Sequence, residues 1–333
     1  MEWFWLGFFA LVALLLFLDL GVVHRRAKEM SLRAAVGWTC GWVALGLAFT
    51  GVVYVMYEYN LAGVHLRSGE VHHAGGADAA ITYVSAYLLE QALSVDNIFV
   101  MSLVFHSFRM PAKYQHRVLF WGILGAIGFR VAMLGGGAWL AAEFDWIFYI
   151  FGGYLAWQGV KLLKGDDEAE QDESGGKNTV VRVLRRFVRI VDGDHGGKFS
   201  VRVDGRRALT TVAVCLIVIE LTDIVFAMDS IPAVLSVSRD TFIMVTSNIF
   251  AIMGLRSLYF VLAGAMAKFK YLKLALGVLL VVIGAKMIAH RWYYVPHAIS
   301  LAVIAGIISA GVIASVISTR RATSGPGPAS PSP

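Results

Sequence analysis

Cysteine is scarce in this chain, with only Cys40 and Cys215 among 333 residues. They fall in separate apolar stretches, which excludes a disulfide framework and a cysteine-based metal centre. Charge is scarce as well: 16% of residues are Asp, Glu, Lys or Arg, against 58% hydrophobic. That balance excludes an ordinary soluble globule. Deep histidine is also missing. All nine histidines lie in loops or near the ends of apolar stretches, which argues against a buried zinc or copper centre. Proline is limited to seven residues, and Pro232 interrupts an apolar run.

Long apolar blocks fill the rest. Nine of them have spanning length: Trp3 to Val23, Val36 to Tyr57, Ile81 to Val104, Val118 to Leu140, Trp146 to Leu163, Thr211 to Leu235, Thr241 to Gly264, Leu272 to Ala289 and Val295 to Ile317. Hydrocarbon offers no partner to an open strand, so such blocks are expected to be helices. The fold class is an all-α polytopic membrane protein with about nine transmembrane helices. The net charge of +6 is placed as a topology signal rather than a nucleic-acid surface. Arg25, Arg26, Lys28 and Arg33 follow the first block, only Arg67 follows the second, and rich and poor connections keep alternating. The positive-inside rule then puts the N-terminus outside and the C-terminus in the cytoplasm of a cell membrane. His24-Arg25-Arg26 after the first block reverses the order of a signal peptide, so that block is expected to stay as an anchor.

The organisation expected is two N-terminal helices (1–57), a three-helix unit (81–163), a cytoplasmic loop (164–210), a second three-helix unit (211–289), a last helix (295–317) and a disordered tail (318–333). In the loop, GDDEAEQDESGGKN (Gly165 to Asn178) has the charge density of a mobile segment. VVRVLRRFVRIV (Val180 to Val191) has the pattern of an amphipathic helix, lying on the membrane surface or packed on the protein. Lys198 to Leu209 alternates around Asp204-Gly205 as a short hairpin would. The two three-helix units share spacing. Glu90, Asp96, Asn97 and Ile98 align with Asp223, Asp229, Ser230 and Ile231; Gly128 and Arg130 align with Gly254 and Arg256; Gly152, Gly159 and Lys161 align with Gly277, Gly284 and Lys286. Three is odd, so the second copy enters the membrane upside down. An inverted repeat is expected, with any substrate site near the midplane between the copies. The run Gly122-x-x-Gly125-x-x-Gly128 reads as close helix packing within the chain.

Five acids lie deep: Glu90, Asp96, Glu220, Asp223 and Asp229. An acid at a helix centre costs about 2.5 to 3.5 kcal/mol, so these side chains should face the bundle interior. Arg130 and Arg256 are the charge-balancing candidates, two against five, which leaves room for cations or protons. In the repeat geometry Glu90 and Asp223 converge centrally, with Asp96 and Asp229 flanking. Positions six apart on a straight helix differ by about 120° and positions nine apart by about 180°. Glu90 and Asp96, or Glu220 and Asp229, would share one small ion only on a distorted helix. Pro232 is the expected source of a break near Asp229; Ser94 and Asn97 are weaker pointers in the third block. The candidate ligand set is Glu90, Asp96, Asn97, Glu220, Asp223, Asp229, Ser230 and Asn248. All of these offer oxygen, which suits Mg2+, Ca2+ or Mn2+. His65, His72 and His73 form an outside cluster read as solvated, with metal loading or sensing as its other reading. Asp19 lies near the inner end of the first block, as an entrance aid or a partner of the basic residues beside it.

Four segments together resemble the TerC family, including its Alx-type members: Glu90-Gln-Ala-Leu-Ser-Val-Asp-Asn, Glu220-Leu-Thr-Asp-Ile-Val-Phe-Ala-Met-Asp-Ser-Ile-Pro-Ala, Thr246-Ser-Asn-Ile-Phe-Ala-Ile-Met-Gly-Leu-Arg256 and Asp19-Leu-Gly-Val-Val-His24. The resemblance implies a bacterial inner-membrane protein related to the LysE transporter superfamily. It is associated with manganese efflux, metal supply to exported proteins and tellurium resistance. The expected function is export of a divalent cation, Mn2+ by resemblance alone, in exchange for protons, with no resident cofactor and the lipid bilayer as partner. The alternative is a non-transporting scaffold or redox modulator. An enzyme is not expected, because the Gly-x-Gly-Asp pattern of an intramembrane aspartyl protease is absent and a dyad leaves the further acids unexplained.

Overall fold

The computed structural model describes residues 2–21, 32–61, 75–144, 146–164, 188–191, 193, 195–203, 206–263, 270–289, 292 and 295–323. Among them are ten helices: α1 (Glu2–Gly21), α2 (Leu32–Glu58), α3 (Gly76–Ser107), α4 (Ala112–Glu143), α5 (Ile147–Lys164), α6 (Thr211–Leu235), α7 (Thr241–Met253), α8 (Leu255–Ala263), α9 (Lys270–Ala289) and α10 (His297–Thr323). The seventh apolar block is therefore two helices. α7 and α8 meet at Gly254 with a bend of 41°, and Ser257 Oγ donates to the Gly254 carbonyl there at 3.0 Å. By length and composition four helices are apolar enough to cross a membrane, within Arg33–Glu58, Ala112–Gly137, Thr211–Leu235 and Ala298–Ser315, and the bent pair makes a fifth. α1 and α9 hold shorter apolar stretches. Polar residues dilute the remainder: Glu90, Gln91, Ser94, Asp96 and Asn97 in α3, and Gln158, Lys161 and Lys164 in α5.

α3 lies at the centre, touching α2, α6, α7, α8 and α10. Rings fasten α1 and α2 to α7: Phe49 packs tilted against Phe250 with centroids 4.7 Å apart, and Phe4 meets Phe242 edge-on at 5.0 Å. Polar side chains close the end of this assembly. Glu58 Oε2 accepts the Gly76 amide at 2.9 Å, and the Tyr57 hydroxyl donates to buried Asp240, which also accepts the Phe242 amide at 2.8 Å.

The most extensive helix contact is α5 with α9. It depends on glycine. A Cβ at Gly152 would stand 2.8 Å from the Gly284 carbonyl, and one at Gly159 would stand 2.6 Å from the Gly277 carbonyl. The backbones therefore cross antiparallel at a distance no other residue permits, and adding side chains would force them apart. α4 packs on α6 through Gly122 and Gly125, which face Ile219 and Glu220. Gly122 and Gly125 are thus internal contacts, as their spacing suggests, whereas Gly128 faces open space.

α6 has two unlike faces. Leu221, Val225 and Met228 are 43%, 60% and 54% exposed, whereas Asp223, Ala227 and Ser230 are at 3% or less. Large exposed apolar side chains, Trp3, Phe17 and Trp157 among them, continue the greasy outer surface. A face of this kind suits lipid.

In the connection before α6, β2 (Ser200–Val203) and β3 (Arg206–Thr210) pair antiparallel with Ser200 opposite Leu209. This is the hairpin its alternation predicts. β1 (Ile190–Val191) joins β3 in parallel, so the expected helix over Val180 to Val191 does not reach its end. Two successive β-branched residues there fit a pleated edge better than a helix turn. Residues 180–187, the acidic stretch 165–178, Asp204-Gly205, His65, His72, His73 and the tail from Ser324 lie outside the described residues, and residues 188 and 189 are not helical.

Candidate functional site

Three helices deliver charge to one buried point. Arg130, on α4, is 2% exposed; Glu90, on α3, is 0% exposed; Asp223, on α6, is 3% exposed. Arg130 Nη1 donates to Glu90 Oε2 at 2.7 Å, while Nη2 and Nε donate to Asp223 Oδ1 and Oδ2 at 3.1 and 3.3 Å. The guanidinium fork thus spans two carboxylates from different helices. Asn97 Nδ2 adds a hydrogen bond to Asp223 Oδ1 at 3.2 Å. Such geometry is what an ion pair needs to survive in a low-dielectric interior.

The same helices carry further polar atoms that stand alone. Among the described residues, Glu90 Oε1, Glu220 Oε2, Ser94 Oγ, Ser230 Oγ and both ends of the Asn248 amide are buried without a hydrogen-bond partner. The Asn248 side chain faces Glu90 yet makes no well-formed hydrogen bond to it. Buried polar atoms of this kind are costly and rare, and each asks for an explanation. The carboxylate of Glu220 lies against Gly125, in space that any side chain there would fill.

Asp229 is somewhere else. Its oxygens accept from Gln158 Nε2 of α5 at 3.3 and 3.4 Å, and the Tyr154 hydroxyl is also in hydrogen-bond contact with it. The reason is helical phase. α6 runs unbroken from Thr211 to Leu235 with Pro232 inside it, so Asp223 and Asp229 stay about 120° apart. The expected break near Asp229 does not occur. Proline removes a single amide bond at that point, near the helix end, and the bend appears instead at Gly254. α3 is likewise continuous.

The structure therefore brings Glu90, Asn97, Asp223 and Arg130 together, sets Asn248 beside them, and leaves Asp229 with α5. Ser230 is buried on α6 and Arg256 on α8. The side chains of Asp19 and Asp96 are not among those described. Among the described residues, no three His, Cys, Asp or Glu cluster closely enough to hold a metal on their own. Tyr154 and Gln158 were not among the sequence candidates. Their signal was available: an amide and a phenol one helical turn apart in an otherwise apolar block.

Apolar helices with a lipid-compatible exterior and a buried acid–base network define an integral membrane protein with a polar centre. The model described as "Integral membrane protein TerC family" matches residues 75–323, and the chain belongs to that family. It is 41% identical over 318 residues to the uncharacterised membrane protein STKORF319 of Myxococcus xanthus, covering 96% of this chain and 93% of that one. It is 42% identical over 306 residues to Alx of Escherichia coli (strain K12), provisionally named a membrane-bound redox modulator, covering 91% of both chains. It is 36% identical over 313 residues to an uncharacterised membrane protein of Rickettsia bellii, covering 94% and 97%. No solved structure matches the chain.

Proposed function

We propose that this TerC-family protein exports a divalent cation, Mn2+ being the expected cargo, from the cytoplasm across the inner membrane. One observation carries the reading: buried carboxylates from two helices, Glu90 and Asp223, converge on Arg130, and among the described residues Glu90 Oε1 and the Asn248 amide beside it lack partners. Glu90 and Asp223 would supply the first ligands, with Asn97 and Asn248 adjoining. Ser230 and Asp96 complete the proposed oxygen set, a donor chemistry that suits Mn2+, Mg2+ or Ca2+. Glu220 would extend the inner approach and Asp229 the outer one. No resident cofactor and no covalent chemistry are needed.

We take the architecture as nine spans with an inverted repeat, α3 to α5 against α6 to α9. Two features support this. α4 touches α6 and α7 touches α3, as one twofold would relate them, while α3–α6, α4–α7 and α5–α9 are contacts between mates. The glycine crossings obey the same operation, since exchanging Gly152 with Gly277 and Gly159 with Gly284 turns one into the other. Rocking of such halves gives alternating access to a site between them, with the N-terminus outside and protons as the exchanged ion.

The second reading, a non-transporting scaffold or redox modulator, draws on the name of the Escherichia coli relative. Thiol chemistry has little support here, because Cys215 is buried, Cys40 is exposed, and no disulfide joins them. Reconstitution separates the readings. Mn2+, Ca2+ and Mg2+ flux is measured in proteoliposomes with and without a pH gradient. Mn2+ flux that Asp223→Asn abolishes supports export; a silent wild type would favour the scaffold.

A further inference from the structure

We propose that Arg130 is a tethered competitor for the transported cation: its guanidinium occupies the Glu90–Asp223 seat between cargoes and moves to Glu220 when a divalent ion arrives. This inference rests on the export reading and specifies how the same site is refilled.

Space gives the first argument. The guanidinium lies 2.7 Å from Glu90 Oε2 and 3.1 Å from Asp223 Oδ1. A divalent ion bridging those carboxylates would sit about 2.0 to 2.6 Å from their oxygens, in the region the fork now fills. Both cannot be seated at once. Whichever is present neutralises acids that would otherwise stand unpaired in the interior.

Charge gives the second. When ionised, Glu90, Asp223 and Glu220 together carry three negative charges, and Arg130 supplies one positive. A divalent ion adds the two that are missing. With the ion on Glu90 and Asp223 and the guanidinium on Glu220, every charge of the group has a partner. Without the ion, Arg130 best serves the two acids that are most deeply buried, and partly exposed Glu220 is left with Oε2 unpartnered among the described residues.

The third argument is reach. Glu220 precedes Asp223 by one helical turn on α6, and its carboxylate lies against Gly125, which precedes Arg130 on α4. Long side chains on a helix lean toward its N-terminus, and Gly125, against which Glu220 lies, is N-terminal to Arg130 on α4, so the path from Asp223 to Glu220 runs in that favoured direction. Glycine at 125 keeps that landing place open. An empty carrier whose acids stay neutralised can reorient without dragging bare charge through a low dielectric, which gives the guanidinium a part in the return half of the cycle.

The test compares the wild type with Arg130→Lys and Glu220→Gln as full chains in proteoliposomes, with Mn2+ as the probe. Equilibrium binding, net efflux and Mn2+/Mn2+ exchange are measured. Lysine keeps the charge but not the fork, so it competes less well. Arg130→Lys should bind Mn2+ about tenfold more tightly and slow net efflux about tenfold while exchange persists. Glu220→Gln, which removes the landing place, should weaken binding by a similar factor. A clamp with only a structural role would act otherwise: Arg130→Lys would bind Mn2+ equally or more weakly, and efflux and exchange would fall together. That result overturns the proposal and leaves the export reading intact, whereas a wild type that neither binds nor moves Mn2+ overturns both. If Arg130→Lys is not recovered in folded form, unchanged Mn2+ affinity in Glu220→Gln is by itself sufficient to reject the exchange of partners.

Discussion

Asp223 and Asp229 stand six residues apart on one helix and occupy different worlds. Asp223 is 3% exposed and answered by a guanidinium; Asp229 is only partly buried and answered by an amide and a phenol. An interior carboxylate needs a full opposing charge, whereas one with some access to solvent manages with neutral donors. On the export reading proposed above, the contrast separates a centre, where binding must be balanced charge for charge, from an approach that would hold an ion loosely.

The largest effect should come from unbalancing the centre. Arg130→Met leaves two buried carboxylates without a cation and is expected to cost about 3–5 kcal/mol, read as loss of folded protein on thermal unfolding in detergent. Asp223→Asn, which leaves Arg130 paired with Glu90, should cost clearly less; an equal loss would mean that the three charges do not act as a group. Next comes the seam between α5 and α9. Gly159→Val sets new atoms against a carbonyl and should destabilise by about 1–3 kcal/mol, with cross-linking between cysteines introduced on the two helices as the readout of their separation. Tyr57→Phe deletes one buried hydrogen bond to Asp240 and should cost about 1 kcal/mol. Asp229→Asn should be smallest for stability, near the detection limit of the same unfolding assay, because its partners are neutral. Its expected consequence is slower Mn2+ efflux. Heavy destabilisation there would erase the distinction between centre and approach.

Much of the fold was legible because lipid imposes a length on apolar blocks and a single interior for acids. Every apolar block has a helix in the structure, and the side of α6 that carries Asp223 is the buried one. Glu90 and Asp223, which sequence spacing aligns, share the Arg130 guanidinium in the structure. What could not be read was phase against neighbours. Pro232 looked like the breaker, yet the chain bends at Gly254: proline near a helix end costs one hydrogen bond, whereas Gly254 ends α7 as its C-cap. The role of Gln158 escaped for a related reason: an amide in an apolar block has no address until the helix that faces it is known. The strand at Ile190–Val191 depends on β3, a partner distant in local pattern.

Mn2+ titration of the purified protein, followed by electron paramagnetic resonance, tests the central assignment most directly. Wild-type protein should immobilise Mn2+ at one site per chain, and the folded double variant Glu90→Gln/Asp223→Asn should leave the ion free in solution. Equal Mn2+ uptake by the two proteins would mean that the cargo binds elsewhere and that the Glu90–Asp223 pair serves only to hold Arg130.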